Sequence, residues 1–292
     1  MIPALRSQFA VRAVALLERG EASGIFDVEP RLIVLRVERA ALPAVARARL
    51  SVRLDDDFDI ESARRQYRFD RRVAVRLDPA PPASLIWLFD GFPTRLRHVL
   101  APHGETPREC CELELDHVAS RLNFGPSAQI IGRSMRDARI ADGLAVDPAA
   151  FASASTPVDG LPCVFNAGGR SNCDPAPIEL RYADGRVRRV HLFTWDDDPR
   201  AIPWTAGRAL RYLLHFCVSG DCPVSVDACL AATEPAAFEG PNGRAAHLTG
   251  DPLRHALLTP LDDLSVEGQN MSEALARIAE AANLLIWPHT GG

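Results

Sequence analysis

The chain has 292 residues, which is enough for two globular domains. Its composition, with 47% hydrophobic and 24% charged residues, is ordinary for a globular protein. Its formal net charge of -5 argues against a general phosphate-binding surface, since nucleic-acid-binding proteins usually carry a basic face. No apolar run approaches the roughly 18–20 residues that a membrane span requires. The N-terminus lacks the small-residue cleavage site of a signal peptide, so none is predicted.

The chain has 33 arginines and no lysine. Arginine suits buried and interfacial ion pairs better than lysine does, since its planar guanidinium binds carboxylates in a bidentate way.

Residues 1–24 are predicted to form an N-terminal helical arm. One amphipathic helix is expected over residues 8–19, and Gly20 ends it. Such an arm packs on its own domain or reaches a neighbouring subunit, and the sequence leaves both interpretations open.

Residues 25–132 are predicted to contain about six strands. Alternation of apolar and polar side chains predicts strands at residues 31–39, 44–54, 70–77, 94–100 and 110–118, and the apolar run 85–89 adds another. Asp90-Gly91 predicts a hairpin turn, and residues 101–108 a solvated loop. The regular spacing favours an antiparallel barrel or sandwich. The acidic run at residues 55–57 is interpreted as a solvated loop, because a calcium loop spaces its carboxylates alternately.

Residues 133–258 are predicted to form an inserted mixed domain. The Gly168-Gly169-Arg170 segment within residues 161–174 favours a close backbone turn over a phosphate cradle, since the spacing matches neither phosphate-binding motif. A second Asp-Gly hairpin is expected to join residues 178–182 to residues 186–194. The acidic run 196–198 is interpreted as a solvated turn and not a cation site. A helix is predicted over residues 204–217 with Thr205 as its cap, and a strand at 224–230.

Residues 259–292 are predicted to form a strand-helix-strand piece. The pattern predicts a strand at residues 264–266, a helix over about residues 272–282 capped by Asn270 or Ser272, and a strand at 284–287. The last strand is followed by only a few residues, so the chain is expected to be the first part of a longer protein.

The cysteines raise the question of a metal centre. Cys163, Cys173, Cys217 and Cys222 would close a zinc or iron–sulfur site if their loops met, but the spacings are loose for metal ligands. Buried thiols are the preferred interpretation. We therefore predict no metal and no cofactor.

The sequence contains none of the common catalytic motifs, and no catalytic residues are predicted. Two alternatives stay open. One is a cysteine-dependent enzyme with Cys217 or Cys163 as nucleophile and His191 or His215 as base. The other is a ligand- or glycan-binding β module that uses tryptophans as stacking platforms, although core packing is the stronger interpretation for them. The tryptophans are Trp87, Trp195, Trp204 and Trp287.

Several short motifs resemble the hub proteins of phage tails. LFDGFP at residues 88–93 precedes ELELDHVASRL at 112–122, which is similar to the first barrel of baseplate hub and late-control proteins. IIGR at 130–133 and the segment at 264–287 are similar to the piece in which a helix crosses a tube-like domain. The middle of the chain, including its cysteines, matches no hub motif.

The resemblance implies a mainly antiparallel α+β fold, with tube-like β-barrel domains and an inserted irregular α/β domain. It further implies a homotrimer that forms a pseudo-sixfold ring and joins the tail tube to tip or spike proteins. The expected location is the virion tail, after assembly in the host cytoplasm. Neither membrane nor sequence-specific nucleic-acid contact is expected, and the function implied is structural and not enzymatic.

Overall fold

The computed structural model describes residues 9–16, 32–79, 86–103, 106–123, 163–176, 178–181, 187–194, 197–216 and 252–287. The structure mixes helices and strands and divides into two compact units. Residues 1–120 and 287–292 form the first, which we call the sheet unit, and residues 121–286 form the second, which we call the C-terminal unit.

The sheet unit is built on one six-stranded antiparallel sheet. Its strands are β1 (Phe9–Leu16), β2 (Leu32–Glu38), β3 (Arg47–Arg53), β4 (Arg72–Pro79), β5 (Ile86–His103) and β6 (Thr106–His117). Their spatial order is β1-β4-β5-β6-β3-β2. The sheet is curled, because Cα atoms of the edge strands β1 and β2 come within 8 Å of each other. The prediction of a mainly antiparallel fold is confirmed.

One face of this sheet carries the core, and the strand alternation predicted for residues 44–54 is confirmed. On β3, Ala48 and Leu50 are buried, whereas Arg47 and Arg49 point to the other face. Burying a large aliphatic or aromatic side chain contributes about 1.5–3 kcal/mol to folding. The fully buried large residues of this core are Leu50, Tyr67, Phe89, Leu113 and Leu115.

Near the N-terminus one local prediction is wrong, and one helix of this unit was not predicted. Residues Phe9–Leu16 form β1 and not a helix, because they pair along their whole length with β4. Amphipathic patterns of this length suit either structure, and here the tertiary pairing decides. The acidic stretch leads into a helix that was not predicted, α1 (Ile60–Gln66). Asp59 caps it by accepting the Ser62 N–H at 2.7 Å.

The predicted turn at Asp90-Gly91 is also wrong, because β5 runs straight through it. Gly91 pairs with His117 of β6, and a Cβ atom at Gly91 would come within 2.2 Å of the Asp116 carbonyl oxygen. Glycine is needed here for the close approach of two strands and not for a turn. The predicted loop at residues 101–108 is mostly strand, since Ala101 pairs with Arg108.

The C-terminal unit combines short strands with helices. Its elements are β7 (Val164–Phe165), β8 (Ile178–Arg181), β9 (Val187–Val190), α2 (Ala206–Phe216), α3 (Pro252–Leu257), β10 (Leu264–Ser265) and α4 (Met271–Ala281). β7 pairs with β10, and β8 with β9, both antiparallel. The strand pairing of the second predicted hairpin and the helices at 204–217 and 272–282 are therefore confirmed, whereas the Asp184-Gly185 turn lies outside the described residues. Helix α3 was not predicted.

Helix α4 has a regular cap at each end. Asn270 and Glu273 form a capping box at its start, as predicted for Asn270. At its end Asn283 adopts a left-handed conformation with φ 56°, and the Leu284 N–H donates to the Ala279 carbonyl at 2.8 Å. Residues 284–287 then lie outside any strand that the structure describes, so the predicted final strand is wrong.

An aromatic cluster forms the core of this unit. It consists of Phe165, Phe193, Trp204 and Tyr212, all less than 4% exposed. Neighbouring ring centroids lie 4.6–6.1 Å apart, in tilted and edge-on arrangements. The core prediction for Trp204 is confirmed. Trp287 is 55% exposed, and the side chains of Trp87 and Trp195 lie outside the described residues.

The predicted domain boundaries at residues 24, 132 and 258 stay predictions, and the first two lie outside the described residues. The unit boundary falls after Ser120, and residues 259–286 belong with the C-terminal unit, to which β10 contributes a strand. The predicted strand at 224–230 and the IIGR motif at 130–133 lie outside the described residues.

Candidate interaction surface

Among the described elements, β5 is the longest, and it forms a hairpin with β6 that extends in part beyond the rest of the sheet. β4 pairs with β5 only as far as Gly91, whereas β5 continues to His103. Among the described strands, residues 92–103 of β5 pair with β6 alone. The other side of this segment is thus a strand edge of the kind that can accept another strand.

Two prolines limit how much of this edge can pair. Pro93 and Pro102 lack an N–H group and cannot donate to an added strand. Between them lie residues 94–101, which we call the open edge. Thr94 forms a β-bulge at its start, where the register with β6 shifts, and its hydroxyl donates to the Glu114 carbonyl at 3.3 Å. Bulges of this kind commonly mark the end of pairing.

The open edge exposes apolar as well as charged side chains. Leu100 is 70% exposed, and Leu96 and Val99 are partly exposed. Arg95, Arg97 and His98 are exposed as well. An exposed edge strand with apolar side chains is a site for pairing with another chain.

The outer face of the sheet carries a second feature, which we call the charged ladder. It consists of Arg36, Glu38, Arg47, Arg49, Glu114 and Asp116, which line one open groove together with Ala48 and Thr94. Neighbouring strands supply opposite charges: Arg49 reaches Glu114 at 2.9 Å and Arg47 reaches Asp116 at 3.2 Å. On β2, Arg36 reaches Glu38 at 2.8 Å.

The charged ladder contains equal numbers of positive and negative side chains, but they differ in exposure. The side chains of Arg47 and Arg49 are 68% and 54% exposed, whereas those of Asp116 and Glu114 are 25% and 32% exposed. The arginine side chains are therefore more accessible to a partner than the carboxylates are. A surface with paired charges of both signs suits a protein partner better than a phosphate backbone, which needs an excess of positive charge.

Of the residues in the alternative catalytic pairs, only the side chains of Cys163 and His191 lie in the described part of the chain. Cys163 and His191 are both buried, at 7% and 5% exposure, and the His191 Nδ1 atom lies 2.8 Å from the Asp174 carbonyl oxygen. The sulfur of Cys173 lies 3.6 Å from that same oxygen. Cys217, Cys222 and the His215 side chain lie outside the described residues. Buried thiols of this kind are poorly placed to attack a substrate.

The Gly-Gly loop is a close backbone turn, as predicted. The Gly168 N–H donates to Asp263 Oδ1 at 3.0 Å, and the Gly169 N–H donates to the Asn166 carbonyl at 2.9 Å. The Arg170 N–H donates to the Ala167 carbonyl at 3.2 Å. These three donors are already used within the protein, so they do not form a phosphate cradle.

The acidic runs have local partners. Asp55 accepts the Asp57 N–H at 3.2 Å, which closes a turn. Hydrogen bonds from Arg200 lower the pKa of Asp198 to about 2. In the described part of the chain, no group of three or more His, Cys, Asp or Glu side chains is arranged to hold a metal ion.

Comparison with known proteins adds no family: no protein-family model matches the chain, and no curated protein is significantly similar to it. No helix among the described residues is long and apolar enough to cross a membrane.

Neither the open edge nor the charged ladder was predicted from the sequence. The ladder had a signal, since residues 47–53 carry arginines on one face and residues 112–116 carry acids at the same spacing. Complementary charges on two alternating segments indicate neighbouring strands. The open edge had none, because the Asp-Gly pair indicated a turn in the middle of β5.

Proposed function

We propose that this chain is a structural assembly protein whose copies join through the open edge of β5. A strand from a neighbouring copy adds to residues 94–101, and the charged ladder fixes the position of that copy. The observation that carries the proposal is that, among the described strands, residues 94–101 pair with β6 on one side only. A strand paired on one side leaves half of its N–H and C=O groups without a strand partner.

The proposed assembly is a homotrimeric ring. When the open edge of one copy receives a different surface of the next, the contact is head-to-tail and closes into a ring if the rotation fits. The resemblance of residues 88–93 and 112–122 to tail hub proteins supports three copies. The curled antiparallel sheet is compatible with the tube-like barrel of such hubs, with an inserted domain following it.

The proposed particle is a phage tail or a tail-like particle, where the ring joins the tail tube to tip or spike proteins. This part of the proposal rests on the resemblance alone. The balanced charges of the ladder support protein partners within that particle, and they do not favour a nucleic acid.

Sedimentation velocity on the full chain tests the proposal. We expect a species of three times the 31.8 kDa chain mass, which negative-stain microscopy shows as a ring. Co-assembly with tail tube subunits is expected as well, because partner strands help to order such interfaces. A 31.8 kDa species at every micromolar concentration, with no binding to tube subunits, would overturn it.

A further inference from the structure

The segment that leaves the sheet unit is held by a side chain at each end. β6 ends at His117, residues Val118–Asn123 form a 3-10 turn, and the unit boundary falls after Ser120. At the start of the turn, the Nδ1 atom of His117 accepts the Ala119 N–H at 3.1 Å. At its end, Asn123 Oδ1 accepts the Ser272 N–H at 3.1 Å. One anchor thus lies in each unit.

The hydrogen bond to Ala119 fixes the state of the His117 ring. Because Nδ1 accepts an N–H, it carries no proton, and the neutral ring must hold its proton on Nε2. Nε2 is buried without a hydrogen-bond partner in the described part of the protein, and the residue is only 3% exposed. The ring meets Phe89 edge-on, with centroids 5.5 Å apart. The neutral imidazole is therefore buried, with its Nε2–H group against no described acceptor.

Charged groups from two neighbouring strands face this ring. Asp90 of β5 is held by Arg72 of β4, whose Nε donates to Oδ1 at 2.6 Å while a second guanidinium nitrogen contacts Oδ2. Burial has the largest effect and lowers the pKa of His117 below 6.5, whereas Asp90 raises it and Arg72 lowers it. The bidentate pair leaves Asp90 little net charge to stabilise an imidazolium.

Among the described residues, no charged group other than Asp90 and Arg72 affects the His117 ring. From the end of β3, the Ala46 carbonyl accepts the His117 N–H at 3.0 Å and holds the strand in place. The preceding residue, Asp116, points to the opposite face of the sheet and pairs with Arg47 at 3.2 Å.

We propose that His117 is an acid-sensitive latch on this turn. When Nδ1 takes a proton from solvent, it becomes a donor facing the Ala119 N–H donor, and the hydrogen bond between them is lost. The start of the turn is released, while the Asn123 anchor, which does not titrate, stays closed. The chain thereby gains a pH-dependent step at the point where it passes from one unit to the other.

The direction of the pH effect follows from the lowered pKa. A histidine that is harder to protonate in the folded state binds fewer protons there than in the open state between the two pKa values. The closed state, in which His117 Nδ1 accepts the Ala119 N–H, is therefore fully stabilised above pH 6.5, the ordinary pKa of histidine. This stabilisation is lost as the pH falls through the lowered pKa of the folded state.

Hydrogen exchange on the full chain tests the latch, with rates corrected for the intrinsic effect of pH. Between about pH 7.5 and about pH 5.5, on either side of the ordinary histidine pKa, we expect exchange of the Ala119 amide to rise about tenfold, as for one lost hydrogen bond. The Ser272 amide, bound to Asn123, is expected not to change. Equal protection of Ala119 at both pH values would overturn the proposal.

A matched pair of variants separates the latch from general acid effects. His117→Asn keeps an acceptor near the Nδ1 position but does not titrate, so Ala119 should be equally protected at both pH values. His98→Asn removes an exposed histidine of the same hairpin, 3.4 Å from Glu109, and should keep the wild-type response. A full response in His117→Asn would contradict the latch.

Nitrogen-15 spectra of the wild-type ring decide the question without a variant. Above its pKa, His117 should carry its proton on Nε2 alone, and the Ala119 amide should shift with the same midpoint as the ring, below pH 6.5. A ring protonated on Nδ1, or a midpoint at or above pH 6.5, would overturn the proposal even if His117→Asn did not fold.

Discussion

The two units satisfy their backbone hydrogen bonds in different ways. In the sheet unit, six strands pair with one another over many equivalent bonds. In the C-terminal unit the described strands are only two to four residues long. There a buried side chain makes hydrogen bonds to the backbone that strand pairing would make in a larger sheet. The Asn166 amide accepts the Trp204 N–H at 2.7 Å and donates to the carbonyls of Trp204 and Leu261.

This difference determines where each unit is sensitive to substitution. A hydrogen-bonded sheet spreads its stability over many bonds, so the loss of one surface ion pair costs little free energy. A buried amide with three hydrogen-bond partners contributes much of the stability at one residue, because every partner is left unsatisfied when the amide is lost. The stability of the C-terminal unit should therefore depend on a few buried polar residues. The stability of the sheet unit should depend on how closely its strands can approach one another.

The largest effect is expected at Asn166, which is 4% exposed. Asn166→Asp removes two N–H donors and places a buried carboxylate against two carbonyl oxygens. We expect the free energy of unfolding to fall by about 4 kcal/mol, as when a buried charge loses its partners. Chemical denaturation, followed by tryptophan fluorescence, measures it.

The control for this variant is Asn283→Asp, an exposed asparagine that also has a positive φ. Its loss should stay below about 1 kcal/mol, because surface substitutions rarely exceed that. Equal losses in the two variants would show that the buried amide has no special role.

In the sheet unit, the largest loss of stability is expected at Gly91. Gly91→Ala places a methyl group 2.2 Å from the Asp116 carbonyl oxygen and 2.7 Å from the Phe89 ring. The ring can turn but the neighbouring strand cannot move freely, so we expect a loss of about 3 kcal/mol. Thermal or chemical unfolding of the variant measures this loss. Wild-type stability would mean that β5 and β6 are not this close.

The smallest effect on stability is expected in the charged ladder. Glu114→Gln removes the ion pair with Arg49, whose side chain is 54% exposed. The free energy of unfolding should change by less than about 1 kcal/mol, since solvent screens such pairs. The same substitution is expected to weaken assembly in sedimentation experiments. A variant that unfolds readily would contradict an interaction role for the ladder.

Patterns along the chain predicted the regular parts of this fold. Strict alternation identified β3 and β6, and an apolar stripe with capping residues identified α2 and α4. Both patterns are local consequences of burying one face of an element. The metal and catalytic alternatives needed spatial neighbours that spacing alone does not provide.

The errors came from places where a distant partner decides the local structure. Residues 9–16 became a strand because β4 lies beside them, and Gly91 supports close strands instead of a turn. Residues 284–287 have a strand-like composition but follow a helix cap and pair with no described strand. The open edge is likewise a property of where β4 ends, which no pattern within β5 records.

Concentration-dependent hydrogen exchange across residues 94–101 shows whether copies of the chain join through the open edge. The alternate amides that face away from β6 should become at least about tenfold better protected as the chain assembles, since each gains a hydrogen bond from an added strand. Amides already bonded to β6 should not change. Rapid exchange of the outward-facing amides at every concentration, in a sample whose mass rises above 31.8 kDa, would show that assembly uses another surface and would contradict the account.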